Sequence, residues 1–130
     1  MSAAASGAVL GVGIDSVDVA RFARVLTRRP SLRERVFTTG ERAYTGRMAN
    51  PVPSLAARFA AKEAAMKALG VGLGAVDWSD VEVVRGAGGR PSLVVTGRAA
   101  VLADRYGVGG WNLSLTHTAT VASAVVVAVR

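Results

Sequence analysis

Residues 59–70 read F-A-A-K-E-A-A-M-K-A-L-G, the stretch that most restricts what this chain can fold into. Ala, Leu, Met, Lys and Glu fill it without a single β-branched residue, so it is read as a helix. Pro53-Ser54 offers a start with Ser54 as N-cap, and Gly70 a stop at the C′ position. Glu63 and Lys67 are four apart and share one face, whereas Lys62 lies about 100° around the axis. An acid flanked by two cations on a rigid element suits an anionic, metal-bound substrate. The same residues also read as an i,i+4 surface pair contributing a few tenths of a kcal/mol.

The chain has 130 residues, which bounds it to one expected domain, 1–130, with a modest core. It has no Cys and a single His, His117, which excludes disulfides, thiolate nucleophiles and multi-histidine metal sites. Any metal must therefore be held by carboxylates and water, which favours hard cations such as Mg²⁺. Residues 1–7 lack a basic region before an apolar stretch and so do not read as a signal peptide. The most apolar stretch, Val121–Val129, interrupted only by Ser123, is nine residues long, far short of the about 20 a membrane span needs, and reads as a buried strand. No membrane association and a cytoplasmic location are expected. Residues 21–67 hold 11 of the 16 Lys/Arg against three Glu, a balance of +8, while the rest of the chain stands at −1. That half faces an acidic partner: nucleic acid, a phosphate-rich cofactor or an acidic protein.

Residues 9–14 read as a first strand with Asp15 at or just past its end. Residues 16–29 read as a helix capped by Ser16 or Asp15, with Val19, Phe22, Val25 and Leu26 at helical spacing. Arg21, Arg24 and Arg28 form a basic stripe on that helix. A short helix over 31–36 carries Arg33 and Arg35, and a helical turn starts at Thr38 and includes Tyr44. Residues 50–53 are a rigid loop before the Ala-rich helix, and 70–74 a glycine-rich segment. A hairpin over 81–96, a helix over 97–106 and two strands over 112–129 complete the chain. The order β-α-α-α-β-β-α-β-β lacks regular βα alternation, so the expected class is α+β: a small, mostly antiparallel sheet packed against helices.

Gly11-Val12-Gly13 after a strand invites a dinucleotide-binding reading, but Ser16 stands where the third glycine belongs and no acid follows at the required spacing. Asp15 is open between a metal ligand and a plain helix cap. Ser114-Leu115-Thr116-His117-Thr118 places the hydroxyls on one strand face and His117 on the other. No G-x-S-x-G elbow accompanies it, so a structurally hydrogen-bonded His117 is the first reading. Nucleic-acid binding through the arginine stripe lacks support, since seven aromatics make no stacking platform.

Taken together, residues 11–22 (G-V-G-I-D-S-V-D-V-A-R-F), 58–70 (R-F-A-A-K-E-A-A-M-K-A-L-G), 88–91 (G-G-R-P) and 113–118 (L-S-L-T-H-T) resemble the holo-acyl-carrier-protein synthases. These are the small bacterial type of 4′-phosphopantetheinyl transferase, and the resemblance is collinear from about residue 9 to residue 129. It implies transfer of 4′-phosphopantetheine from coenzyme A to a serine of an acidic apo carrier protein. It further implies Mg²⁺ on Asp15 and Glu63, and catalysis by Asp15, Glu63 and Lys67. Coenzyme A would lie on Arg58, Lys62, Lys67 and His117, and the carrier would dock on Arg21, Arg24, Arg28 and Arg35. Members of this short type are homotrimers with active sites between subunits. Asn112-Leu113, Asp18 and Met66 depart from residues common in the family, which leaves open a carrier from fatty-acid or from secondary metabolism. The rival from another class is a non-enzymatic, basic nucleic-acid-binding module.

Overall fold

The computed structural model describes residues 8–72 and 74–130. Residues 1–7, and Leu73 in the glycine-rich segment, lie outside the described residues. The expected α+β class holds. Strands β1 (Val9–Asp18), β4 (Gly110–His117) and β5 (Val121–Val129) form an antiparallel sheet in the order β1-β5-β4. Strands β2 (Val81–Arg85) and β3 (Pro91–Val95) form an antiparallel hairpin. Helices α1 (Val19–Arg28), α2 (Leu32–Val36), α3 (Thr39–Thr45), α4 (Val52–Leu69) and α5 (Gly97–Arg105) surround them, one helix more than the sequence order implied.

Helix α4 is the axis of the molecule. Alanines 56, 57, 60, 61, 64, 65 and 68 are all buried, so neighbours pack on nearly every side of it. It begins at Val52, well before the expected start, because Pro51 and Pro53 sit where the first-turn N–H groups have no helical partner anyway. Ser54 lies inside the helix rather than capping it. Gly70 closes the helix as expected, with φ 72°.

Central strand β5 turns Ala122, Ala124, Val126 and Ala128 toward α4, and these small side chains let the helix sit close. Gly11 and Gly13 of β1 do the same more sharply. A Cβ on them would lie 1.9 Å from the Ala68 carbonyl oxygen and 1.8 Å from that of Ala64, far inside any tolerable contact. The G-x-G that imitates a nucleotide fingerprint is therefore a helix–strand packing device.

Two boundaries correct the sequence reading. Strand β1 does not stop near Asp15 but pairs with β5 as far as Asp18↔Val121, because β5 offers ladder partners that far. Consequently α1 is capped by Asp18, which accepts the Arg21 N–H at 2.8 Å, and Ser16 instead meets Ser123 across the sheet at 2.8 Å. Among the described residues no helix is long and apolar enough to cross a membrane. The sheet face turned away from α4 leaves Val12 59% and Ile14 61% exposed.

Candidate active site

Asp15, on β1, and Glu63 and Lys67, one turn apart on α4, come together where strand and helix pack. The Lys67 ammonium donates to the Ile14 carbonyl at 2.8 Å and to Asp15 Oδ1 at 3.2 Å, so it ties helix to strand rather than pairing with Glu63. The surface Glu63–Lys67 ion pair that the spacing allows does not form. Burial, and then the Asp15 charge, raise the Glu63 carboxyl above the usual carboxylate range, with Lys67 opposing them. Two carboxylates thus share one lysine, an arrangement short of positive charge. Among the described residues no group of three or more potential ligands occurs, so a cation here would rely on these two carboxylates, water and substrate oxygens. That hard oxygen set is one Mg²⁺ accepts.

A cleft of about 610 Å³ opens beside them, lined by Asp15, Arg21, Phe22, Phe59, Glu63 and Trp78 among others. Its wall is aromatic, with ring centroids 5.2 Å apart for Phe22–Phe59 and 5.0 Å for Phe59–Trp78. Arg21 reaches the rim, whereas Arg24 and Arg28 are exposed farther along α1. Arg35 is exposed on α2, whose Leu32 and Val36 line the same cleft.

Lys62 is not part of this surface, contrary to the expectation that it binds coenzyme A. Its side chain is 0% exposed, and its ammonium donates to Glu41 Oε1 at 2.7 Å, to the Trp78 carbonyl at 3.2 Å and to the Val81 carbonyl. An ammonium has three protons, and all are used. Burial lowers the Lys62 pKa, with Glu41 opposing that shift. Glu41 also accepts the Thr38 N–H and the Val83 N–H, each at 3.0 Å, and so ties α3 and β2 to α4. Glu41 escaped the sequence reading because T-x-x-E is also a local capping box, which it forms with Thr38.

Arg58 and His117 meet at a second cleft of about 400 Å³, together with Asn50, Arg85 and Thr116. Arg58 is 1% exposed; its guanidinium stacks 4.7 Å from the Tyr44 ring centre and donates to Ser54 Oγ, while its Nε has no hydrogen-bond partner. Burial lowers the Arg58 pKa; Glu41 opposes this and the charge of Arg85 adds to it. His117 is exposed at the end of β4. Five residues separate Arg58 from Glu63, about 140° around the helix, so the two clefts open on different sides of α4. Neither Arg85 nor Asn50 was singled out from sequence, since nothing local marks a hairpin-end arginine as facing a helix.

Residues 11–125 match the family model described as the 4′-phosphopantetheinyl transferase superfamily. A holo-[acyl-carrier-protein] synthase of Frankia casuarinae is 54% identical, the alignment covering 93% of this chain and 98% of that one. The crystal structure of the holo-[acyl-carrier-protein] synthase from Neisseria meningitidis superposes with a TM-score of 0.86 at 30% identity, covering 94% of this chain and 99% of that one. The corresponding synthase of Bacillus anthracis, in complex with CoA (3′,5′-ADP), gives 0.78 at 31% identity over 93% of this chain and 96% of that one.

Proposed function

The chain belongs to the 4′-phosphopantetheinyl transferase superfamily, and from that premise we propose how its two clefts share the work of the reaction. It is a holo-carrier-protein synthase, moving 4′-phosphopantetheine from coenzyme A to a serine of an apo acyl-carrier protein and leaving adenosine 3′,5′-bisphosphate. The observation that carries the site assignment is the Asp15–Glu63–Lys67 group: two carboxylates that line an open cleft, with one lysine bound to Asp15 beside them.

Displacement at a pyrophosphate needs charge neutralisation and positioning more than covalent chemistry by the protein. Asp15 and Glu63 would hold Mg²⁺, which when bound neutralises the pyrophosphate oxygens and polarises the phosphorus under attack. Lys67 has used two of its three protons on Ile14 and Asp15, so one remains for a phosphate oxygen. The aromatic wall of Phe22, Phe59 and Trp78 excludes water from that side, and Arg21, Arg24, Arg28 and Arg35 offer an acidic carrier its landing surface. A cytoplasmic location is consistent with both substrates, and carriers of fatty-acid synthesis are the first to test.

Arg58 and His117 take part through assembly. One chain presents them on the far side of α4 from Glu63, so a single coenzyme A spanning both sets is best served by two copies. The uncovered sheet face, with Val12 and Ile14 exposed and Val125 and Val127 beside them, is the surface on which three copies would meet. The experiment is a transfer assay with apo carrier, coenzyme A and Mg²⁺, read by intact-protein mass spectrometry. The carrier gains one phosphopantetheinyl group with the native chain and none with Asp15→Asn or Glu63→Gln, both of which stay folded. Full activity in either variant removes that residue from the metal set, and no gain with the native chain removes the functional reading.

A further inference from the structure

Four aromatic residues of the first cleft form a chain of rings, and a buried ammonium closes it. Ring centroids are 6.3 Å apart for Phe37–Phe22, 5.2 Å for Phe22–Phe59 and 5.0 Å for Phe59–Trp78, and all four residues line the cleft with Glu63. Both ends of this chain return to Lys62. Its ammonium lies 5.6 Å from the centre of the Phe37 ring and donates to the Trp78 carbonyl at 3.2 Å. Glu41, at 2.7 Å, fixes where that ammonium stands, and is itself held by the Thr38 and Val83 N–H groups. A cation over a ring face and a carbonyl acceptor are directional contacts, which apolar packing of the same volume does not supply. Both partners of the ion pair are 0% exposed, where such a pair adds little net stability over well-packed apolar side chains.

From this closure, and resting on the transferase reading above, we propose that Glu41 and Lys62 are positioning residues for the reaction. They touch no substrate, but hold Phe37 and Trp78 in place and so set the aromatic wall that faces Glu63. Phe59 and Glu63 are four apart on α4 and share one face, so a ring that shifts against Phe59 also shifts the surroundings of the carboxylate. Trp78 opens a single helical turn, Trp78–Asp80, too short to fix its ring without an outside anchor. Lys62 supplies that anchor from the helix that carries Glu63, so wall and carboxylate are registered by one element. Misplacing the supports of a reacting centre by about 1 Å lowers rate by up to roughly 100-fold, and the ion pair is what prevents that slip.

The test removes both charges together, Lys62→Met with Glu41→Gln in the full chain, so that neither is stranded and the glutamine still closes the capping box with Thr38. In a Trp111→Phe background Trp78 is the only tryptophan, and its emission reports on the wall independently of activity. The double variant melts cooperatively, and its Trp78 emission moves to longer wavelength with easier quenching by acrylamide. Its kcat falls roughly tenfold while the KM for coenzyme A stays within about twofold, the split expected when geometry at the reacting centre is lost and binding is kept. Native emission with native kcat overturns the proposal, as does a loss of activity that only matches the unfolded fraction. Should the double variant not fold, Trp78→Leu decides, because Trp78 is half-buried and its replacement leaves the ion pair intact. It lowers kcat with the same KM if the wall positions the reaction, and an unchanged kcat overturns the proposal. An emission shift in a chain that transfers nothing would remove the functional reading and leave the anchoring of the wall standing.

Discussion

Helix α4 carries two lysines five residues apart, each within 4 Å of a carboxylate, and their surroundings could hardly differ more. Lys62 and Glu41 are both 0% exposed, whereas Lys67 and Asp15 are 54% and 16% exposed. The first ammonium has spent every proton on protein acceptors; the second has one left on a half-exposed side chain. Donor accounting, more than proximity to a carboxylate, separates a cation that holds the fold from one that can hold a phosphate.

The largest expected effect lies on the sealed side. Lys62→Met strands Glu41 as a buried, unpaired charge and should cost about 3–5 kcal/mol in denaturant unfolding. A loss below about 1 kcal/mol would place the pair in contact with water and end the contrast. Lys67→Met should do the reverse: stability within about 1 kcal/mol of the native chain, but a kcat loss of roughly 100-fold, about 2.7 kcal/mol of transition-state stabilisation. Equal stability losses from the two substitutions would show that the helix treats both lysines alike.

A smaller effect tests what approaches the open side. Replacing Arg21, Arg24 and Arg28 together by Ala should raise the KM for the carrier roughly tenfold at low salt, with the difference shrinking as ionic strength rises. An unchanged KM would move the docking surface elsewhere. The smallest effect concerns the cost of assembling the site. Burial and the Asp15 charge hold the Glu63 pKa above its value in the unfolded chain, so its ionisation opposes folding. That cost is complete above the folded-state pKa and disappears below the unfolded one. Metal-free stability should therefore rise as pH falls through that window, and Glu63→Gln should abolish this dependence. At pH 7 the variant should gain on the order of 0.5 kcal/mol once solvent screening is discounted, with Mg²⁺ no longer adding to its Tm. A metal-free Glu63→Gln chain that melts lower than the native one would mean that Glu63 is held by contacts beyond Asp15 and Lys67.

Much of this architecture was legible in the residues. The Ala-rich helix, its stop at Gly70, the hairpin, the last two strands and the inward apolar stripe of α1 follow from propensity, period and turn chemistry. The pairing of Asp15 with the Glu63 helix does not; only the collinear resemblance implied it. The misplaced boundaries share one cause. β1 runs to Asp18 because β5 extends beside it, and α4 begins at Val52 because prolines that look like loop from sequence are harmless in a first turn. A strand's length depends on its partner, which no local window contains.

By itself, the sequence determined which segments are helix and strand, which side chains are available for chemistry, and to which family the chain belongs, because those depend on local propensity and on motif spacing. It placed Lys62 and Lys67 on one helix as equivalent cations. Only the tertiary structure decided between them. Burial depends on what lies opposite a side chain, and the group opposite Lys62 is Glu41, brought from α3 to within 2.7 Å. The same holds for Arg58 and His117, far apart in the chain and on different elements, which only the fold brings to one cleft.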